Sequence, residues 1–255
     1  MSDETYRHGQ FVWRELMTPD PEASLRFYGE VIGWRSQSTK MPDGSDYTML
    51  TVGDAPVGGL MKPPMPEIPP HWAMYVSVAD VDATAKRAAE LGGKVLAGPL
   101  EAGGFGRMAA LLDPTGGAIS AWKGTEGDSP RAPDWRPGRG DFCWEQLNAT
   151  DPEKAGAFYE ALFGWTRKPF AGQEGMTTFA AGEVQVASLM GAPPGAPTHW
   201  LTYVVVDTLR DTTARVKAQG GKVLVDRVDI PTVGAIGVIQ DNVGATLGLF
   251  EAPAG

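Results

Sequence analysis

Phe11 to Trp34 reads FVWRELMTPDPEASLRFYGEVIGW, and Phe142 to Trp165 reads FCWEQLNATDPEKAGAFYEALFGW. Ten of these 24 positions are identical at a constant offset of 131. Later landmarks recur at an offset of 128: His71-Trp72 with His199-Trp200, Gly92-Gly93-Lys94-Val95-Leu96 with Gly220-Gly221-Lys222-Val223-Leu224, and Asp113 with Asp241. A few long repeats mark tandem copies of one domain, because a solenoid repeats every few tens of residues.

Each copy is itself double. At an offset of 60, Asp20 matches Asp80, Ala23 matches Ala83, Glu30 matches Glu90 and Gly33 matches Gly93. Each unit opens with alternating residues, the pattern of a half-buried strand. A helix follows. Asp20 suits its N-cap and Pro21 its first position, where a missing N–H costs nothing. Leu25, Tyr28, Val31 and Ile32 give it a buried stripe, and Gly33 a stop. The fourth helix is expected to start from Asp207. Three strand-like stretches follow each helix, such as Tyr47–Val52 and Val57–Met61. The chain reads as four βαβββ units, called modules below, two per domain. The domain boundaries are 1–123 and 141–255. The Pro-, Gly- and charge-rich stretch 124–140 is the linker between them.

With 255 residues the chain has room for two domains, each with its own core. The net charge of −9 and the lack of a basic run argue against nucleic acid and anionic membrane as partners. No apolar stretch has the length of a membrane span, and the N-terminus lacks the apolar core of a signal peptide. The single cysteine, Cys143, forms no intramolecular disulfide and suits the cytoplasm. It reads as a small strand residue. There is no Gly-rich phosphate loop, no GxSxG elbow and no HExxH. The expected partner is a small molecule, and the expected state a monomer or homodimer with paired domains.

The four modules resemble the vicinal-oxygen-chelate superfamily, which includes glyoxalase I, bleomycin-resistance proteins and extradiol dioxygenases. The resemblance rests on Asp20-Pro-Glu-Ala-Ser-Leu-Arg-Phe-Tyr with Gly33-Trp34, on Asp151-Pro-Glu-Lys-Ala-Gly-Ala-Phe-Tyr with Gly164-Trp165, and on Asp113-Pro-Thr-Gly-Gly. It covers nearly the whole chain outside the linker and is nearest to tandem two-domain actinobacterial proteins. It implies an α+β fold of two glyoxalase/bleomycin-resistance-like domains, each with curved mixed sheets forming a cup.

The resemblance also implies where a divalent ion would sit: on ligands from the first strand of each module and from a later strand. Counted from the helices, these positions fall near Trp13, Gly59, Ala73 and Ser120, and near Trp144, Ser188, Leu201 and Gly248. Such a set cannot supply the His and carboxylate ligands that a divalent ion needs. No metal and no cofactor are therefore expected. Glu15, Gln146, His71 and His199 lie two residues from these positions, on the same strand faces. A metal-dependent lyase or dioxygenase using His71 with Glu15, or His199 with Gln146, is the alternative.

Alternation places Phe11, Trp13 and Glu15 on one strand face, with Phe142, Trp144 and Gln146 as their repeats. His71 with Tyr75, His199 with Tyr203, Ser120 with Trp122, and Gly248 with Phe250 share faces in the same way. The opposite face carries Val76, Val78, Val204 and Val206. The first set has the composition of a small-molecule pocket, with aromatic walls and sparse polar groups. The expected ligand-binding residues are Trp13, His71, Tyr75, Trp122, Trp144, Gln146, His199, Tyr203 and Phe250. The expected function is metal-independent binding or sequestration of an aromatic metabolite or antibiotic. A second alternative is a metal-free enzyme with Glu15 as general base, because a carboxylate removed from water is a stronger base. Trp34 and Trp165, at the helix ends, are expected in the core.

Overall fold

The computed structural model describes residues 5–41, 44, 46–128, 135–170 and 175–253. Six residues of the expected linker, 129–134, lie outside these.

The first module comprises β1 (Phe11–Met17), α1 (Pro21–Val31), β2 (Arg35–Lys40), β3 (Asp46–Val52) and β4 (Ala55–Met61). The second comprises β5 (His71–Ser77), α2 (Val81–Glu90), β6 (Lys94–Ala102), β7 (Gly106–Leu112) and β8 (Ala118–Gly124). The third comprises β9 (Phe142–Ala149), α3 (Pro152–Phe163), β10 (Thr166–Pro169), β11 (Thr177–Ala181) and β12 (Val184–Gly191). The fourth comprises β13 (His199–Val206), α4 (Leu209–Ala218), β14 (Lys222–Ile230), β15 (Gly234–Gln240) and β16 (Thr246–Glu251). The hydrogen-bonded strand orders are β2-β3-β4-β1-β5-β8-β7-β6 and β10-β11-β12-β9-β13-β16-β15-β14. Each sheet is mixed. The first strand of every module runs parallel to its last, and the hairpins between are antiparallel.

The helix starts follow from capping. Asp20 accepts the Ala23 amide, Asp80 the Ala83 amide and Asp151 the Lys154 amide. These bonds satisfy amides that a helix N-terminus otherwise leaves without partners. The fourth helix differs from expectation. Its cap is Thr208, which accepts the Asp211 amide, and Asp207 instead pairs with Arg139 at 3.2 Å.

Two compact units divide the chain, and they do not follow the sequence halves. One is Met1–Trp13, Met74–Pro133 and Glu145–Trp200, which is essentially modules two and three. The other is Arg14–Ala73, Asp134–Trp144 and Leu201–Gly255, which is essentially modules one and four.

In the first unit, Val76, Val78, Ala88, Leu111 and Ile119 pack with Leu147, Phe158, Tyr159, Trp165 and Phe179. In the second, Leu16, Phe27, Tyr28, Val31 and Trp34 pack with Val204, Val206, Leu209, Val216 and Leu249. Trp34 and Trp165 are core residues, as the sequence suggests, and so are Trp72 and Trp200. The repeated Gly-Gly pair has a separate role for each member. Gly92 and Gly220 take positive φ at the helix ends, where a side chain is strained. Gly93 and Gly221 admit the rings of Phe158 and Phe27: an added Cβ would come within 2.9 Å and 2.8 Å of them.

Phe11 departs from the alternation expected of β1. It belongs to the core of the first unit, 5.5 Å from the Trp200 ring and 5.8 Å from Trp165. Phe142 does the same in the second unit against Trp34 and Trp72. The reason lies in the division of β1 and β9 between the units at Trp13–Arg14 and Trp144–Glu145, so that each end of the strand has its own core.

Candidate functional site

The parallel pairing inside each module fixes which residues stand side by side. In β1 and β4, Glu15 lies opposite Gly59 and Met17 opposite Met61, while the intervening Leu16 and Leu60 point into the core. In β9 and β12, Gln146 lies opposite Ser188 and Asn148 opposite Met190, with Leu147 and Leu189 in the core. In β5 and β8, Tyr75 lies opposite Ser120 and Ser77 opposite Trp122. In β13 and β16, Tyr203 lies opposite Gly248 and Val205 opposite Phe250. Because strand side chains alternate, these residues share the face turned away from the core.

This register refines the expected ligand positions. The neighbour of Gly59 is Glu15 rather than Trp13, and that of Ser188 is Gln146 rather than Trp144. The neighbours of Ser120 and Gly248 are Tyr75 and Tyr203, four residues beyond the two histidines.

In the first compact unit, Tyr75 is buried and Trp122 half-buried, and their rings meet edge to face at 6.0 Å. Trp13 is half-buried in the same unit. The polar side of this unit is a relay. Gln146 Nε2 donates to Asn148 Oδ1 at 2.8 Å and contacts Met190 Sδ at 3.2 Å. Asn148 Nδ2 lies 3.2 Å from His199 Nε2, and His199 Nδ1 lies 2.9 Å from the Pro197 carbonyl. A carbonyl only accepts, so Nδ1 carries the hydrogen. Nε2 then accepts from the Asn148 amide. The relay thus holds the His199 ring and joins it to Gln146 through a residue that the sequence reading did not single out.

In the second compact unit, Glu15 is 6% exposed. A Cβ added to Gly59 would collide with the Tyr47 hydroxyl and come within 3.0 Å of Glu15 Oε1. The missing side chain of Gly59 is therefore what lets a phenol and a carboxylate converge. Tyr47 was not legible as a site residue. The one clue was a glycine inside a strand pattern, which marks a close approach. Gly248 does the same for Tyr203, whose ring covers its Cα. Burial raises the pKa of the Tyr203 phenol, and the nearby Cys143 adds to the shift. Phe250 and Trp144 are half-buried in this unit. His71 Nδ1 lies 2.8 Å from the Pro69 carbonyl. The position matching Asn148 is Met17, so His71 has no amide relay of this kind.

The model of the Glyoxalase/Bleomycin resistance protein/Dioxygenase superfamily matches residues 10–120 and 144–249. The chain belongs to that superfamily. A Mycobacterium tuberculosis protein named "Putative glyoxylase CFP32" is 34% identical, with 96% of each chain covered. The Streptomyces peucetius protein named "Anthracycline biosynthesis protein DnrV" is 27% identical over 97% of this chain and 94% of its own. Among solved structures, the Mn(II)-bound glyoxalase from Novosphingobium aromaticivorans superposes with a TM-score of 0.64 at 15% identity, covering 96% of this chain and 82% of that one. The 2,3-dioxygenase LapB from Pseudomonas sp. KL28 superposes with the same TM-score at 10% identity, covering 98% and 94%. These likenesses show the fold.

Members of the superfamily such as that glyoxalase hold a divalent ion, so the fit of one here is a matter of donor chemistry. The four register rows offer one carboxylate, Glu15, together with an amide, two hydroxyls, two phenols and two glycines. His199 already uses both ring nitrogens, and His71 uses Nδ1. Among the described residues, no group of three or more His, Cys, Asp and Glu side chains is placed to hold a metal. These side chains do not fit the His-and-carboxylate set of a divalent centre. Among the described helices, none is long and apolar enough to cross a membrane.

Proposed function

We propose that this superfamily member binds a small, flat organic molecule without a metal, on the sheet faces that carry Trp13, Tyr75 and Trp122 in one unit and Trp144, Tyr203 and Phe250 in the other. Tyr75 at 6.0 Å from Trp122, beside Ser120, carries this reading. It is an aromatic wall with a hydroxyl where a metal-binding relative would need a ligand. Aromatic side chains hold planar ligands by stacking and edge contacts. Anthracyclines, named in the biosynthesis relatives, are planar fused-ring compounds of this class. The polar groups Gln146, His199, His71 and Glu15 orient the ligand. Sequestration in the cytoplasm is the simplest role for such a protein.

Tryptophan fluorescence titrated with anthracyclines and simpler aromatic metabolites tests the reading. Saturable quenching that weakens in Trp13→Ala and Trp144→Ala is the expected result. Stoichiometric zinc, nickel, iron or manganese after metal-replete expression, lost on substituting His71 or His199, would overturn it in favour of a metal-dependent lyase or dioxygenase.

The convergence of Glu15 and Tyr47 over Gly59 favours a second reading, metal-free proton transfer with Glu15 as base. Turnover that disappears in Glu15→Gln while ligand binding persists distinguishes it from binding alone.

A further inference from the structure

The repeat sets the end of one helix against another in each compact unit, α1 against α4 and α3 against α2. In the second unit an arginine bridges the two helices. Arg215 of α4 donates from Nε to the Val31 carbonyl at the end of α1, at 3.2 Å, and from Nη2 to Thr212 Oγ1 at 3.1 Å. Arg139 pairs with Asp207 at 3.2 Å, and its Nη2 stands 3.5 Å from where a Cβ of Gly33 would be.

In the first unit the corresponding parts are different. His8 occupies the position of Arg139 and Ala79 that of Asp207, while Arg87 matches Arg215. Here the surface forms an open groove of about 400 Å³ lined by His8, Asp80, Thr84, Arg87, Leu162 and Phe163, among others. Arg87 makes its ion pair with Glu90, at 3.4 Å between half-exposed side chains. Tyr6 stacks on the His8 ring at 5.4 Å and receives Lys123 Nζ at 5.7 Å, while Lys123 donates to the Ala79 carbonyl at 2.8 Å. Arg87 and His8 line this groove, and Lys123 bonds the Ala79 carbonyl in its wall. The carboxylate in the wall, Asp80, caps α2 through one oxygen.

We propose that this groove is a second small-molecule site, apart from the sheet faces, and that it takes a carboxylate carried on a small planar ring. The guanidinium of Arg87 matches a carboxylate with two parallel N–H donors. The ring packs on Phe163 and Leu162. In the second unit the matching guanidinium, Arg215, donates to a backbone carbonyl.

Benzoate titrated into the full chain, with histidine ring carbons labelled for NMR, reads this directly. The three histidines are assigned by single His→Gln variants. The His8 signal shifts saturably, whatever His71 and His199 report of the sheet faces. Benzamide, which lacks the charge, leaves His8 unmoved. Arg87→Gln, a change at a half-exposed side chain, weakens benzoate by about tenfold. His8→Arg combined with Ala79→Asp copies the Arg139–Asp207 pair of the second unit and removes the Arg87-dependent part of benzoate binding, measured by calorimetry. Absence of a saturable His8 shift, or an unchanged benzoate midpoint of that shift in Arg87→Gln, overturns the proposal. Failure of the sheet-face reading would show separately, in the tryptophan titrations.

Discussion

The Tyr159 hydroxyl donates to Asp113 Oδ2 at 2.8 Å and accepts the Trp200 indole N–H at 2.9 Å. The pattern recurs as Tyr28 to Asp241 at 3.0 Å and Trp72 to Tyr28 at 3.1 Å. In each case the tyrosine belongs to one sequence half and the aspartate to the other. The repeated Phe-Tyr of the helices and the repeated aspartate of the β7–β8 and β15–β16 turns are therefore two ends of one buried device. The same aspartates organise their turns, Asp241 Oδ1 accepting three successive amides from Val243, Gly244 and Ala245.

Removing that hydroxyl strands two polar groups in a core. Tyr159→Phe and Tyr28→Phe are each expected to cost about 1–3 kcal/mol, because a buried donor and acceptor lose their partner together. Urea unfolding measures it. A loss within experimental error for both would mean that the turn, not the relay, fixes the aspartates.

Asp241 brings a pH dependence. Its pKa is raised, first by desolvation, against the lowering effect of the backbone amides and the Tyr28 hydroxyl. A carboxyl with a raised folded pKa binds its proton more tightly when folded. Its contribution to stability is complete below the ordinary value of 3.8 and is lost as pH rises through the raised value. Asp241→Asn lacks this titration. The variant therefore gains relative to the parent as pH increases over that window, in paired unfolding curves. Pairing cancels Asp82, Asp211 and Glu251, whose lowered pKa values act in the opposite sense.

Gly59→Ala tests the Glu15–Tyr47 pair. The added methyl collides with the Tyr47 hydroxyl and crowds Glu15 Oε1, at a cost of about 1–3 kcal/mol from overpacking. Any proton-transfer activity falls with it. Gly53→Ala, at a turn with positive φ and open space around its Cα, serves as a strained but uncrowded control.

The His199 ring is expected in the Nδ1–H tautomer, visible as unlike nitrogen shifts in long-range NMR correlation. Asn148→Met, which copies Met17, removes the Nε2 contact and raises the solvent sensitivity of that nitrogen toward the behaviour of His71. Identical His199 spectra in both proteins would remove the relay from the account of the site.

Much of this was legible in order along the chain. The caps Asp20, Asp80 and Asp151, the buried stripe of α1 and the core valines follow from local periodicity and side-chain chemistry. The aromatic character of the sheet faces was also legible, because alternation is a local rule. Tyr47, Asn148 and the core placement of Phe11 were not. Each depends on which strand lies alongside, or on which core a strand end meets, and no short-range pattern carries that information.

The sequence by itself therefore determined four βαβββ modules, their helix boundaries to within a residue and the superfamily they belong to. Tertiary structure alone decided that module one shares its core with module four and module two with module three, and that Glu15 stands opposite Gly59. The physical reason is that the four modules present nearly the same apolar faces. Hydrophobic burial is non-directional. The choice of partner falls instead to contacts between residues far apart in the chain, such as Tyr159 with Asp113, Phe158 with Gly93 and Arg215 with the Val31 carbonyl.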